Sequence, residues 1–576
     1  MKKIFAFIVL AAVLVTSCHE PEYVAPTASR SGITSLTAFF ATGPYVDMEW
    51  GRLEITDPDE TYFVIPLSYY YPSDSENKVG NYQIKVRVRA SIANNCKIDP
   101  PLTILDLTEE NKYTFTDATG ASREITITGK LVKSSVCRIL SFEAGSPAVT
   151  GVVDEINHKV WLPTDADLSS ATASVVFSAH TSISPDPSAA RDYNEGVTYT
   201  ITSEDGDTKV DYLVVRGTPP TIDYGYSEAS MERLFNLDPA TAMGLPDFGD
   251  PLNVSMGVVE GKLVVNLADG NAPRYYHQVS GAYLGTINLG AADPSGAIAS
   301  DEAGNLLICN YADIGQTLNI WRTASVADAP VLLHSFTNDQ DVPAGTTMKV
   351  IGDIDDEAVI TIVYDGIAEV TTSSRFRAVH ISGGAVVSDE VLDLAGTGLA
   401  WGAGANNGTC IVSGSPDLSG GWYGAAYDEN ALYWFKKDLT VGSRLNGMGP
   451  DNELMYLNGN VDANNLDSKR FNNARYMVLF ASSHFPSWWP GPQIYVYDIS
   501  SGAIAGTNVW DSSALVFSID NNNMYSLQNE KGATKESTAS GDVILSPSPD
   551  GYKLYMYYYD HYAQMLGGFC VDCLKR

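Results

Sequence analysis

The apolar residues of this 576-residue chain come in short alternating runs cut by glycine, asparagine, aspartate and proline, and that period-two pattern restricts it to an all-β fold. No long stripe with the 3.6-residue spacing of an amphipathic helix interrupts it. Tyr82 to Arg89 shows the pattern most clearly. Its strict alternation predicts Ile84, Val86 and Val88 facing a core and Lys85, Arg87 and Arg89 facing water. The 32 tyrosines suit strands and the 49 glycines suit the turns between them. The length exceeds what one core supports and points to about three domains.

The first residues set a compartment. Met1, Lys2 and Lys3 precede an uncharged apolar run, Ile4 to Val15, too short to span a bilayer and suited to a signal peptide. The run ends in Val15-Thr16-Ser17-Cys18, which resembles the bacterial lipoprotein cleavage box. The resemblance implies a signal peptide over 1–17 and acylation of the Cys18 thiol. The alternative is an ordinary secreted protein cut near Ser17, with Cys18 a free thiol. His19 to Thr27 is acidic and contains prolines, as a flexible tether over 18–30 would. It resembles the surface-export signal of Bacteroidetes lipoproteins and implies a lipid anchor in the outer membrane, facing the cell exterior.

A formal charge of −33 repels nucleic acid and anionic headgroups, so nucleic-acid binding is excluded, while neutral and cationic partners stay open. Besides Cys18 there are six scattered cysteines, too few for a disulfide framework. Cys570 and Cys573 form the one close pair. Without a second pair or a βαβ context they read as a local disulfide or as two buried thiols, not as a zinc or redox site.

An internal repeat organises the first part of the chain. Tyr113-Thr114-Phe115-Thr116 returns as Tyr199-Thr200-Ile201-Thr202, each followed by a polar turn containing Gly120 or Gly206 and then a second strand. The openings also match, Ile33 to Leu36 against Arg138 to Phe142. Residues 31–134 and 135–217 are therefore expected to be two copies of a small antiparallel sandwich. They resemble the immunoglobulin-like modules of Bacteroidetes surface lipoproteins, which implies spacing and display more than chemistry.

Gly217-Thr218-Pro219-Pro220 marks a boundary, because the prolines bar helix and central strand alike. Residues 221–576 repeat a different texture: strand, Asp/Gly/Asn turn, apolar strand. Ile298 to Asn310 and Val543 to Tyr557, with Ser-Pro-Asp-Gly at the turn, resemble β-propeller blades. Leu318 to Arg322 and Gln493 to Asp498 look like third strands of such blades. At about 40–50 residues per blade the region holds about seven, with six or eight also compatible. A further series of sandwiches is the alternative architecture.

His484-Phe485-Pro486-Ser487-Trp488-Trp489 is flanked by proline and so reads as a loop bearing aromatic side chains. Sugar rings stack their C–H faces on such groups, so His484, Phe485, Trp488 and Trp489 are candidate ligand-binding residues, unless the loop folds back and plugs the space between blades. Trp422 and Tyr423, presented after Gly420-Gly421, form a second candidate pair. Tyr433-Trp434-Phe435 reads as core, and Tyr555, Tyr557 and Tyr559 as one packing face of a strand. Asp353-Ile354-Asp355-Asp356-Glu357 offers oxygen ligands of the kind calcium takes, but it lacks the spacing and the glycine of a known calcium loop and reads first as an inter-strand turn. Asp520 to Asn523 stands likewise. No metalloprotease, nucleophile-elbow or phosphate-loop motif occurs, and no catalytic residue is assigned.

These features are similar to the binding lipoproteins of glycan-utilisation systems. The leading expectation is a non-catalytic, cell-surface carbohydrate-binding protein whose partners are a glycan and the proteins of a surface transport complex, with no cofactor required. The alternatives are a propeller glycoside hydrolase or polysaccharide lyase, whose carboxylates would come from separate blades, and a protein-interaction scaffold.

Overall fold

The computed structural model describes residues 32–46, 48–237, 254–366, 371–401, 409–426, 431–446, 465–481, 493–519, 541–560 and 565–576. Among them the chain is all-β, and the only helical segments are two 3-10 turns, Gly80–Tyr82 and Glu228–Ser230. No described helix is long and apolar enough to cross a membrane. Contacts divide the chain into two units, Met1–Ser135 with Glu204–Asp207, and Val136–Ser203 with Thr208–Arg576.

In the first unit two four-stranded sheets enclose one core. Strand Ile33–Phe40 lies between Glu49–Glu54 and Val86–Ile92 in one sheet. In the other, Tyr62–Ser68 runs parallel to Ser122–Val132, which forms a hairpin with Asn111–Thr116. The same plan recurs over residues 139–216. Ile139–Ala144 pairs with Ala173–Phe177, Lys159–Leu162 runs parallel to Lys209–Arg216, and Lys209–Arg216 forms a hairpin with Val197–Thr202. Gly120 and Gly206 sit in the two equivalent turns at φ of +88° and +80°, a conformation glycine adopts without a Cβ clash. The two stretches thus share their strand pairings. One detail differs: Ile84 is exposed, because the strand begins only at Val86. Gln83 is buried in its stead, its amide donating to the carbonyls of Leu107 and Gly129.

From Glu232 onward, six four-stranded antiparallel sheets follow one another among the described residues, at the lower end of the expected range. Their first strands are Ser255–Val259 (sheet I), Ile298–Ser300 (II), Ala344–Gly352 (III), Thr409–Ser413 (IV), Asn465–Phe471 (V) and Gly541–Pro547 (VI). Each first strand adjoins that of the next sheet, and VI adjoins I, in a propeller-like arrangement. The fourth strand of sheet VI comes from the other end of the region: Glu232–Leu237 pairs with Met565–Asp572. Leu318 to Arg322 and Gln493 to Asp498 do stand third in sheets II and V.

Inner strands here read as nearly continuous apolar runs because both of their faces are covered. In Lys553–Asp560, Leu554, Met556 and Tyr558 pack against sheet V residues such as Tyr476 and Val478. Tyr555, Tyr557 and Tyr559 pack against Met256, Leu263 and Val265 of sheet I. The tyrosine row is the packing face that its alternation suggests.

Candidate functional site

The centre of the six sheets is ionic. Lys349 on the first strand of III donates to Asp542 Oδ1 on the first strand of VI at 2.6 Å, and to the Val543 carbonyl at 3.4 Å. Lys469 on the first strand of V donates to Asp467 Oδ1 at 2.7 Å and to the Val350 carbonyl of III at 3.1 Å. Backbone amides complete both carboxylates: Met256 N–H reaches Asp542 Oδ2 at 2.8 Å and Leu545 N–H reaches Asp467 Oδ2 at 2.9 Å. All four side chains are at most 5% exposed. Burial opposes the charge on Lys349, but the acidic groups around it together, Asp542 first and then Cys410 and Asp467, hold the ammonium above its ordinary value. Four of the six first strands, I, III, V and VI, are thereby tied across or around the axis by charge-assisted bonds.

The two ends of the sheets differ. At one end, hairpins join first to second strands: Glu260-Gly261, Asn472-Asn473 and Ser548 to Tyr552 are short turns. At the other end, which we call the top, the chain enters each first strand and crosses from second to third strand. Described groups there gather around sheet III. Asp365, just past strand Glu357–Tyr364, accepts from the Thr346 hydroxyl through Oδ1, while its Oδ2 is buried with no hydrogen-bond partner among the described residues. Burial pushes this carboxyl up to about 7, against the hydrogen bonds from Thr346 that favour its charged form. Nearby, burial with Asp313 and Asp365 pushes Tyr311 up to about 12, and burial raises the Cys309 thiol to about 12, keeping it protonated. The Tyr364 hydroxyl accepts from Arg377 Nε at 2.9 Å, and its carbonyl accepts from Trp401 Nε1 at 2.7 Å. Arg377 also pairs with Asp389, which bonds to His334 at 2.9 Å.

Trp422 and Tyr423 are not displayed. Both lie in the buried second strand of sheet IV, Trp422–Ala426, 3% and 0% exposed. Trp422 meets Phe376 edge-on at 4.9 Å, and the Tyr423 hydroxyl donates to the Gly502 carbonyl. The preceding glycines form the hairpin turn rather than presenting the rings: a Cβ on Gly421 would lie 2.2 Å from the Phe435 carbonyl. His484, Phe485, Trp488, Trp489 and Cys18 lie outside the described residues, as do Asp520 to Asn523.

The acidic run 353–357 makes the first hairpin turn of sheet III, with three of its four carboxylates engaged. Asp353 caps the Asp355 N–H at 2.8 Å, Asp355 pairs with Arg322, and Glu357 accepts from Ser382 at 2.9 Å and meets His380 at 2.8 Å. They diverge to separate partners and do not converge on one point as calcium ligands must. Among the described residues no cluster of three His, Cys, Asp or Glu suits a metal ion. Cys570 and Cys573 are two buried thiols. The residues that sequence reasoning missed are Lys349, Asp467, Lys469, Asp542 and Asp365. The one signal was Lys349 inside an otherwise uncharged strand, Ala344–Gly352.

Residues 139–216 match a family model described as Domain of unknown function (DUF8499), and residues 13–129 one described as Domain of unknown function (DUF5018). No curated protein matches the chain. Among solved structures it is similar to a DUF4623 family protein from Bacteroides eggerthii (14% identity, TM-score 0.39, covering 77% of this chain and 99% of that one). It is also similar to a DUF4221 family member from Bacteroides vulgatus (11% identity, TM-score 0.30, 60% and 99%) and to a gluconolactonase from Xanthomonas campestris (11%, 0.29, 61% and 98%). Residues 233–572, more than half of the chain and nearly the whole of the six-sheet region, match the model described as Domain of unknown function (DUF8500), and the chain belongs to that family.

Proposed function

We propose that this protein is a lipid-anchored surface protein whose six-sheet region is a β-propeller that binds a neutral glycan at its top without cleaving it, while the two repeated modules, immunoglobulin-like in kind, act as a stalk. The observation that carries this reading is topological. Ala481 and Gln493 pair with each other at the top of sheet V, the same end of the six sheets at which the groups around Asp365 gather, and in the sequence His484, Phe485, Trp488 and Trp489 fall between these two paired residues. Aromatic faces combined with carboxyl and phenol groups are the chemistry that recognises sugar rings. The lipobox supports the anchor, and the charge of −33 favours neutral over anionic glycans. The test is a glycan-array screen of the purified protein, repeated with Trp488→Ala/Trp489→Ala. Specific binding that the double variant loses, with the ligand intact, supports the reading, and the absence of binding across diverse glycans removes it.

A second reading, an acid–base enzyme, draws on Asp365 alone, whose raised carboxyl and buried oxygen without a partner among the described residues suit proton transfer. Cleavage of an array ligand that Asp365→Asn abolishes would move the protein to that class.

A further inference from the structure

Sheet VI is the seam of the six-sheet region, because its outermost strand, Glu232–Leu237, comes from far earlier in the chain to pair with Met565–Asp572. An outermost strand is paired on one side only and is the part of a sheet most readily freed. Glu232 and Asp572 stand at the hairpin-turn end of this seam, opposite the top, with Asp572 paired to Lys553. The module over 139–216 reaches both. Arg138, just before the strand Ile139–Ala144, forks onto Glu232: Nη2 donates to Oε2 at 3.0 Å and Nη1 pairs with Oε1. Its Nε lies 3.7 Å from Glu155 Oε2, to which the Tyr212 hydroxyl donates at 2.8 Å. Arg576, just past the partner strand, donates to the two oxygens of Asp572 at 2.8 and 2.6 Å and to Asp154 Oδ1 at 3.1 Å. Asp154 and Glu155 begin the turn between Val152–Asp154 and Lys159–Leu162. The side chains of Asp154 and Asp572 are 6% and 9% exposed and those of Arg576 and Arg138 15% and 24%, so water and salt screen these bonds less than they screen surface pairs.

The linker that follows the module adds a second grip at the same end. Ile222 N–H donates to the Cys573 carbonyl at 2.9 Å, and Ser227 N–H donates to that of Asp572 at 2.8 Å. Lys575 N–H donates back to the Pro220 carbonyl at 2.8 Å. The linker also reaches sheet V. Asn472, in the hairpin turn there, donates to the carbonyls of Ile222 and Gly225 at 3.1 and 2.8 Å, and the Tyr224 hydroxyl donates to Asp498 Oδ2 at 2.7 Å. A module that served only as a spacer would need a covalent linker and no bond to a particular strand. These bonds fall on the two strands that close the ring of sheets and on the turn beside them. We infer that the module over 139–216 is an intramolecular clasp, which fastens Glu232–Leu237 onto sheet VI from the end opposite the top and so sets how readily the ring opens at that seam. The clasp stands independently of what the top binds.

Hydrogen exchange followed by mass spectrometry on the full chain reads that opening. The wild type is compared with Arg138→Met, Arg138→Lys, Arg576→Met, Glu232→Gln and Arg138→Met/Glu232→Gln. Arg138→Met is expected to speed exchange in Glu232–Leu237 and in its partner Met565–Asp572 by about tenfold or more. Arg576→Met is expected to act in the same direction. Arg138→Lys keeps the charge without the fork and is expected to have a smaller effect, so it and Glu232→Gln carry the test if the methionine variant does not fold. Adding Arg138→Met to Glu232→Gln is expected to cost little more than Arg138→Met alone, because the two residues form one tie. Unchanged exchange of the closing strand in the arginine variants overturns the clasp. Full additivity of Arg138→Met and Glu232→Gln overturns it as well, because the arginine would then act elsewhere than on the closing strand.

Discussion

Asp365 is the residue whose environment departs furthest from what its neighbours in sequence suggest. An aspartate after an apolar strand reads as a turn residue in water, with a value near 3.9 when free. Here burial raises the folded value to about 7. The unfolded chain therefore gives up the proton first as pH rises. Stability falls by about 1.4 kcal/mol for each pH step of one between about pH 4 and 7 and is level above. Asp365→Asn removes that dependence. The variant is expected to gain stability relative to the wild type between pH 5 and pH 8, as read by urea denaturation, and an equal difference at both values would assign the dependence elsewhere. Trp422 carries the opposite lesson. Its glycine neighbours suggest display, but a tryptophan that starts a strand covered on both faces is core. Trp422→Ala is expected to cost about 3–5 kcal/mol, the usual penalty of an aromatic cavity, and to leave glycan binding by the folded fraction unchanged.

At the scale of elements, the alternation of tyrosines in Lys553–Asp560 and the two matching hairpins were legible because side-chain direction follows directly from the two-residue period of a strand. The first strands were not legible in the same way. Asn465-Leu466-Asp467-Ser468-Lys469 reads as a surface segment, since alternating charge normally faces water. It is buried because six first strands meet at an axis, a fact of tertiary assembly that no local period encodes. The charges survive there only as pairs. Lys349→Met leaves Asp542 buried without its cation and is expected to destabilise by about 3–5 kcal/mol. Lys349→Met/Asp542→Asn is expected to recover part of that loss. Replacing Asp542 by leucine instead would strand the Met256 and Val543 N–H groups that its carboxylate accepts. A melting series over the three variants separates these terms. If Lys349→Met melts like the wild type, the pair contributes nothing to the ring.

For the whole molecule, stability depends on how the region from Glu232 onward is closed. Sheet VI takes three strands from the end of the chain and its fourth, Glu232–Leu237, from some three hundred residues earlier. Phe235 fixes that strand: it is 7% exposed and lies 6.2 Å from the Tyr557 ring, in the core that sheet VI shares with sheet I. The module over 139–216 belongs to the same unit. Arg138 bonds to Glu232 on the closing strand at 3.0 Å, and Arg576 reaches Asp154 at 3.1 Å. Weakening the closing strand should therefore be felt through all of the second unit, because edge strands freed from partners expose unpaired backbone and the sheets beside them lose a covered face. The first unit has its own core, drawn from residues 33–127. Phe235→Ala is expected to lower the calorimetric transition of the second unit by several degrees, at a cost of about 3–5 kcal/mol, while the transition of the first unit stays in place. A downward shift of both transitions together would mean that the two cores unfold as one. A shift of neither would mean that the closing strand is already frayed in the native state and that the ring is held instead by the ionic ties of its first strands.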